Sequence, residues 1–245
     1  QIPEYTSDVN ALGTLRLLEI IRHYKKKKIK FYQASSSEMF GKSKPPQNEK
    51  TLFQPRSVYA ISKVFAYHSV IHYRDAYGLY ACNGILFNHE SPRRGVNFVT
   101  KKIVQGLVRI KQGKQKVLTL GNLYSRRDWG HANDYVESMW KILQQKKAND
   151  FVVATKTSNS VKDFINICAK KLNIKLIWKN KGLKEIAINK LTNKIIIKVD
   201  QKYFRETEVD NLIGDFSKAK KMLKWKPKYS FDKLIDDMIY DELND

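Results

Sequence analysis

The sequence predicts an α/β protein, a parallel sheet with helices on both faces joined to a smaller α/β unit. Three observations lead there. Helix-like and strand-like segments alternate from residue 8 to residue 87, the rhythm of parallel strands linked by crossover helices. The run at 79–87 is almost continuously apolar, as a strand covered on both faces should be. A second strand-like run, 30–34, is followed by Ser35-Ser36-Ser37-Glu38. Hydroxyls and an acid at a strand's carboxyl end lie where open α/β sheets bind ligands.

Residues 8–23 read as a helix, with Val9, Leu12, Leu15, Leu18, Ile21 and Arg22 at helical spacing behind Asp8. Gly13 inside it points to a close approach by a neighbouring element. After the strand at 30–34, residues 41–55 form a polar loop with three prolines. Residues 57–77 read as a second amphipathic helix, with Val58, Ile61, Phe65, His68 or Ser69, and Ile71 along its length. His68 and His72 stand four apart without a third ligand and read as packing or surface histidines. A helix at 99–111, a strand at 117–120, a polar turn at 121–130, a helix at 131–145 and a strand at 151–154 come next. Ser160 and Asp163 have capping-box spacing and open a helix reaching about residue 172. Strands at 176–178 and 195–199 flank a lysine-rich segment with turns near Gly182 and Thr192-Asn193. Residues 203–210 are a polar loop, and helices at 215–223 and 231–242 are separated by Pro227.

Composition narrows the classes. A chain of 245 residues, 42% hydrophobic, with 13 Tyr, 11 Phe and 4 Trp, can bury a real core. No apolar run approaches the roughly 18–20 residues that span a bilayer. The start, Gln1-Ile2-Pro3, has neither methionine nor targeting character and reads like a chain entered in the middle. Cys82 and Cys168 lie in apolar settings and are expected to be buried free thiols of a reducing cytosol. No Cys/His spacing resembles a zinc site. The net charge is +22, from 46 Lys+Arg against 24 Asp+Glu. A nucleic-acid partner is one reading. Because the excess is mostly scattered lysine, with one dense run at 25–30, compositional bias on solvated faces is the other. Basic charge favours an anionic ligand such as a nucleotide in either case.

The chemistry concentrates at Tyr59 and Lys63. Four residues apart on a helix, they lie one above the other on the same face. An ammonium there is expected to depress a phenol pKa that is ordinarily about 10, making Tyr59 a general base at neutral pH.

Taken with their order, these runs resemble the extended short-chain dehydrogenase/reductases, and within them the GDP-mannose 4,6-dehydratase family. The runs are residues 8–19 (DVNALGTLRLLE), 31–41 (FYQASSSEMFG), 55–63 (PRSVYAISK), 83–103 (NGILFNHESPRRGVNFVTKKI), 121–140 (GNLYSRRDWGHANDYVESMW), and RETEVD with LKWKP at 205–210 and 223–227. The resemblance covers essentially the whole chain. It implies a partial Rossmann-type sheet, with residues 1–92 and 131–158 as the C-terminal part of an NADP-binding domain. Residues 93–130 and 159–245 would form the nucleotide-sugar domain. The family's glycine-rich G-x-x-G-x-x-G turn is absent from the sequence, so the chain is expected to be the C-terminal portion, with an exposed sheet edge, and inactive alone.

The resemblance implies conversion of GDP-mannose to GDP-4-keto-6-deoxymannose through NADP. Ser36, Glu38, Tyr59 and Lys63 would be catalytic: Tyr59 takes the O4 proton, Lys63 holds the phenolate, Ser36 hydrogen-bonds O4 or the tyrosine, and Glu38 takes the C5 proton and assists departure of the C6 hydroxyl. The family usually has Thr where Ser36 stands. The single acid after Ser37 matches the GDP-mannose branch. Tyr59, Lys63, His89 and Arg94 would contact the cofactor. Asn88, Lys102, Arg127, Arg205 and Glu208 would bind the sugar nucleotide, with arginine suited to diphosphate. Arg93 and Arg126 would serve an oligomer interface or a neighbouring cofactor. The expected partners are GDP-mannose and further copies of the chain, as a dimer or tetramer, in the cytoplasm, with no membrane and no nucleic acid. The alternatives are a non-catalytic basic nucleotide- or nucleic-acid-binding fragment, or another nucleotide-sugar dehydratase or epimerase.

Overall fold

A computed structural model describes residues 2–24, 29–204 and 211–244. The chain opens with helix α1 (Pro3–Ser7), a π-helical segment Asp8–Leu12, and helix α2 (Gly13–His23). The wider π turn rotates α2 about its axis relative to α1. Ala11, Thr14 and Leu18 are buried, whereas Val9 and Leu12 are 49% and 43% exposed. The expected apolar stripe therefore fails at Val9 and Leu12, in the π segment, and holds on α2, where Leu18 is buried and Leu15 packs beside it. Gly13 marks no close approach: a methyl group there would meet only Asp8 O, at 3.5 Å.

Strand β1 (Lys30–Ser36) leads into a 3-10 turn, Ser37–Phe40, and across a loop to helix α3 (Val58–Tyr77). Ser57 caps α3 by accepting from Ala60 N at 3.1 Å, and left-handed Gly78 ends it. The buried residues are Ala60, Ser62, Ala66, Tyr67, Val70 and Tyr73, Ser62 meeting Ser7 of α1, while Val58, Ile61 and Phe65 are exposed. Of the apolar stripe read from the sequence, Ile71 packs against the core and the other three face outward. Small residues let the helix lie flush on the sheet and leave larger apolar groups outside. His68 and His72 pack edge-on against Tyr67 and Tyr73, at 5.3 and 5.7 Å between ring centroids.

Strand β2 (Tyr80–Leu86) runs parallel to β1 in continuous register from Lys30↔Tyr80 to Ser36↔Leu86. After it come β3 (Asn88–Glu90), α4 (Val99–Lys111), β4 (Leu118–Leu120), β5 (Arg126–Arg127), β6 (Trp129–His131), α5 (Ala132–Leu143) and β7 (Phe151–Val153). The first sheet has the order β1-β2-β7, all parallel. Side-chain alternation divides its core. Ala81, Ile85 and Val152 meet the α2–α3 side, and Cys82, Leu86, Phe151 and Val153 meet α5. Helices therefore cover both faces. The segment expected as a plain polar turn, 121–130, instead contains β5 and the start of β6, which pairs parallel with β3.

The remaining elements are β8 (Asn159–Ser160), α6 (Val161–Lys171), β9 (Leu176–Lys179), β10 (Ile186–Asn189), β11 (Ile195–Val199), α7 (Ser217–Leu223) and α8 (Phe231–Asn244). The capping box closes in both directions: Asp163 N donates to Ser160 Oγ at 3.0 Å, and Ser160 N to Asp163 Oδ2 at 2.8 Å. A mixed sheet, β4-β11-β10-β9, packs with α4, α6 and α8 around Phe164, Ile197 and Leu234. Strand β10 lies in the lysine-rich segment, where flanking charge hides an Ile-Ala-Ile core run. Helix α7 returns to the first sheet, with Leu223 and Trp225 in the core beside Phe151. Cys82 and Cys168 are buried and free. No helix among the described residues is long and apolar enough to cross a membrane.

Candidate active site at the carboxyl edge of the parallel sheet

Strand β1 ends at Ser36, whose extended backbone caps the following 3-10 turn, with Oγ accepting from Glu38 N at 3.2 Å. Met39 and Phe40 are buried and anchor that turn, Phe40 lying 5.3 Å from Phe53 and 6.0 Å from Phe87 between ring centroids. Gly41 makes the exit at φ +51°, where a Cβ would strike Gln54 O. The apolar anchor fixes where Ser36 and Glu38 stand.

Helix α3 brings Tyr59 and Lys63 to the same edge. Lys63 Nζ donates to Ala34 O at 3.0 Å and lies 5.6 Å from the Tyr59 ring centroid. The Tyr59 phenol lies near enough to Ser36, Glu38 and Arg94 for each to bear on its pKa. Ser36, Glu38, Tyr59 and Lys63, spread over 28 positions of sequence, thus share one edge with Arg94.

The structure does not depress the phenol as its spacing from Lys63 leads one to expect. Burial is the largest influence and holds Tyr59 above its ordinary value; the nearby Ser36 hydroxyl lowers it, Glu38 raises it and Arg94 lowers it. Lys63 spends its nearest bond on the Ala34 carbonyl, and burial lowers its own pKa. Shared helical face alone does not put an ammonium on a phenol oxygen.

Strand β3 follows the apolar run of β2 and places Asn88 and His89 beyond it. His89 Nδ1 lies 2.9 Å from Phe87 O, so it carries the proton and Nε2 is left as the acceptor. The ring stacks on Tyr135 at 4.8 Å. Burial lowers the His89 pKa, the Phe87 bond opposes this, and Arg94 lowers it further. Arg94 itself lies with its guanidinium carbon 3.4 Å from the Phe98 ring centroid and Nε 2.9 Å from Glu90 Oε2.

The residues expected at the nucleotide end stand on other elements. Lys102, on α4, holds its ammonium 3.9 Å from the Tyr203 ring centroid. Arg127, on β5, donates Nη1 to Arg126 O at 2.8 Å, and β5 pairs antiparallel with β8. Arg126 donates to Ser158 O at 2.5 Å and lies 3.6 Å from Asp163. Arg93 lies in the turn between β3 and α4, and its neighbour Arg94 N donates to Ser91 O at 3.0 Å. Arg205 and Glu208 fall outside the described residues. No group of three or more His, Cys, Asp or Glu among the described residues could hold a metal ion.

Two acids carry no motif that marks them in the sequence. Glu90 is buried beside Arg94 and accepts from Thr100. Asp128 is buried and accepts from Thr155 N at 2.8 Å, Thr155 Oγ1 at 2.6 Å, Lys156 N at 2.9 Å and Gly214 N at 3.2 Å. It ties the segment after β7 to the segment before α7. Glu90 stands four residues before Arg94, a spacing that could have flagged the pair; nothing comparable marks Asp128, whose partners are distant in sequence.

Comparison with known proteins identifies the family. The profile of the GDP-mannose 4,6 dehydratase family matches residues 1–238. The chain is 53% identical to GDP-mannose 4,6 dehydratase 1 of Arabidopsis thaliana, over 99% of this chain and 63% of that protein. It is 51% identical to the GDP-mannose 4,6 dehydratase of Dictyostelium discoideum, over 96% and 67%. With the human GDP-mannose 4,6 dehydratase it shares 48% identity, over 98% and 65%. The chain therefore spans about two thirds of the length of these curated relatives. Its fold is that of RMD from Pseudomonas aeruginosa, solved with NADPH: TM-score 0.84 at 21% identity, covering 99% of this chain and 76% of the other. A dTDP-glucose 4,6-dehydratase from Bacillus anthracis, solved with NAD, superposes with TM-score 0.79 at 20% identity, covering 98% and 69%. With a family profile over nearly its full length and half of its residues shared with several members, this chain belongs to the GDP-mannose 4,6-dehydratase family.

Proposed function

We propose that this chain carries the catalytic edge and sugar-nucleotide site of a GDP-mannose 4,6-dehydratase, a hydro-lyase that converts GDP-mannose to GDP-4-keto-6-deoxymannose. The observation that carries the proposal is the meeting of Ser36, Glu38 and Tyr59 at one strand end, in a chain half identical to relatives of that name.

NADP fits the remaining groups: the Lys63 ammonium tethered to Ala34 O, the Tyr59 hydroxyl and the half-buried face of His89 suit a ribose and a nicotinamide. When bound, it supplies an acceptor and later donor of hydride between C4 and C6 of the sugar. The chain's own residues handle protons and position. Tyr59 takes the O4 proton. Burial and the Glu38 charge oppose the phenolate, while the Ser36 hydroxyl and the Arg94 charge favour it. Lys63 adds positive charge on the ribose side. Once C4 is a ketone, the C5 hydrogen is acidic, and Glu38 removes it. The same carboxyl then protonates the departing C6 hydroxyl, so one acid serves both halves of the elimination.

Asn88, Lys102, Arg127, Arg205 and Glu208 are assigned to GDP-mannose. Residues 1–92 with 131–158 are assigned to the cofactor domain, and 93–130 with 159–245 to the sugar-nucleotide domain, with α7 packed back onto the first sheet. A cytoplasmic homo-oligomer, dimer or tetramer, with Arg93 and Arg126 near its interface, completes the proposal. Calorimetric titration of the folded chain with GDP-mannose tests it. Saturable binding that free mannose does not reproduce is expected. A folded chain that takes up no GDP-mannose would contradict the assignment.

A further inference from the structure

The assigned roles leave one buried acid unused. Glu90 ends β3 with 2% of its surface exposed. Its Oε2 accepts the Thr100 hydroxyl at 2.6 Å, from the first turn of α4, and lies 2.9 Å from Arg94 Nε, an ion-pair contact in which the buried Nε–H makes no hydrogen bond. Arg94 in turn stacks on Phe98, which precedes α4. Burying such an acid costs free energy that an apolar residue of similar size would not incur. Burial pushes the carboxyl up to about 7, against the pull of Arg94 and Thr100. The partner held in this way is the cation whose charge reaches both the Tyr59 phenol and the His89 imidazole.

We propose that Glu90 is a positioning residue: held by Thr100, it fixes the Arg94 guanidinium against Phe98 and keeps that positive charge facing the edge formed by Tyr59, Ser36 and His89. Glu90 touches none of the reacting atoms in this scheme and acts through Arg94. The inference deepens the proposed function, because the value of a cation near Tyr59 rests on Tyr59 taking a proton. Without Glu90 the guanidinium loses its tether, and only the Phe98 stack remains to hold it. Tyr59 then loses an influence that favours the phenolate.

The test uses the full chain without nucleotide. Its readouts are the Arg94 Nε–H signal in 15N NMR, assigned by its absence in Arg94→Met, and the Tyr59 titration followed with 13C-labelled tyrosine. Glu90→Gln keeps the shape and removes the charge. The expected result is that Arg94 Nε–H, shielded by burial in the parent, exchanges readily with water once the guanidinium is released, with an upward shift of Tyr59 of about half a pH unit, the scale of a charge beyond hydrogen-bond distance. Arg94→Met should move Tyr59 in the same direction, and the double variant no further than Arg94→Met alone. An unchanged Arg94 signal and Tyr59 titration in Glu90→Gln, with only stability altered, would make Glu90 purely structural and overturn the inference. A downward shift would overturn it too, since Arg94 would then have stayed in place and merely lost its counter-charge. If Glu90→Gln does not fold, Thr100→Val removes one of the two partners and should weaken protection of the Arg94 signal; undiminished protection would overturn the inference. Because no ligand is needed, failure here is separable from failure to bind GDP-mannose.

Discussion

Asp150→Asn should be among the most damaging single-atom changes in this chain, although it lies away from the catalytic edge. Arg74, in the last turn of α3, donates Nη1 to Asp150 Oδ1 at 2.9 Å and Nη2 to Oδ2 at 2.8 Å, a bidentate pair whose side chains are only 18% and 10% exposed. Oδ1 also accepts from Asn83 N at 3.0 Å and Asn83 Nδ2 at 2.9 Å. One carboxylate thus fastens the helix carrying Tyr59 and Lys63 to the middle strand of the sheet and to the start of β7. An amide in its place would aim an NH2 at other donors and leave the buried Arg74 with only the exposed Asp75, 3.7 Å from its Nε, as counter-charge. Breaking a buried pair by removing one partner costs about 3–5 kcal/mol. Urea unfolding followed by circular dichroism measures it, at unchanged m value. In a double-mutant cycle with Arg74→Met, a coupling of about 2 kcal/mol or more is expected. A loss below about 1 kcal/mol, or a cycle that simply adds, would show that the helix is held to the sheet by apolar packing alone.

Three more outcomes are expected. Glu90 has a folded pKa of about 7 against 4.5 for the free side chain, so the folded state binds the extra proton between those values. Its stabilising contribution is complete below the lower value and is lost as pH rises through the upper one, amounting to about 3 kcal/mol. Chemical unfolding at pH 5 and pH 8 should therefore show Glu90→Gln gaining stability relative to the parent as pH rises; parallel pH profiles would refute it. Gly214→Ala would set a methyl group on the Ala154 Cβ and the Phe87 ring, and overpacking of this kind costs about 1–3 kcal/mol; an unchanged thermal midpoint would contradict the packing. Cys82 and Cys168 are fully buried, with burial pushing the Cys168 thiol up to about 12, so both should react with a thiol reagent only on unfolding, and prompt reaction in the native state would count against the core described.

The fold was legible where sequence periodicity had one cause. The run at 79–87 became β2 because a strand covered on both faces has no polar alternation to hide it, and the Ser160–Asp163 spacing became a closed capping box because that motif is local. It was not legible where a tertiary surface chose between two plausible faces. Helix α3 has apolar residues on both sides, and packing on the sheet and the N-terminal helices selected the smaller ones, Ala60, Ser62 and Ala66. The π segment before Gly13 left no mark in composition, yet it carries Val9 and Leu12 out of the core while Leu15 and Leu18 on α2 keep to it. Strand β10 was masked by the lysines around Ile186–Asn189. In the candidate site, Ser36, Glu38, Tyr59 and Lys63 could be picked out because strand end and helix face are local properties. The state of the Tyr59 phenol could not, because it depends on how deeply the ring is buried and on Arg94, whose place is set by Glu90 and Phe98.

The proposed chemistry rests most heavily on Glu38 as the base at C5 of a GDP-bound 4-keto sugar. Solvent deuterium exchange tests it directly and needs no turnover. The chain is incubated in heavy water with GDP-4-keto-6-deoxymannose, and deuterium at C5 is followed by NMR against a protein-free control. Exchange well above the control is predicted for the parent chain, with its loss in Glu38→Gln and its persistence in Tyr59→Phe. Exchange that survives Glu38→Gln at the parental rate would show that another group removes this proton, and would contradict the division of labour between Tyr59 and Glu38.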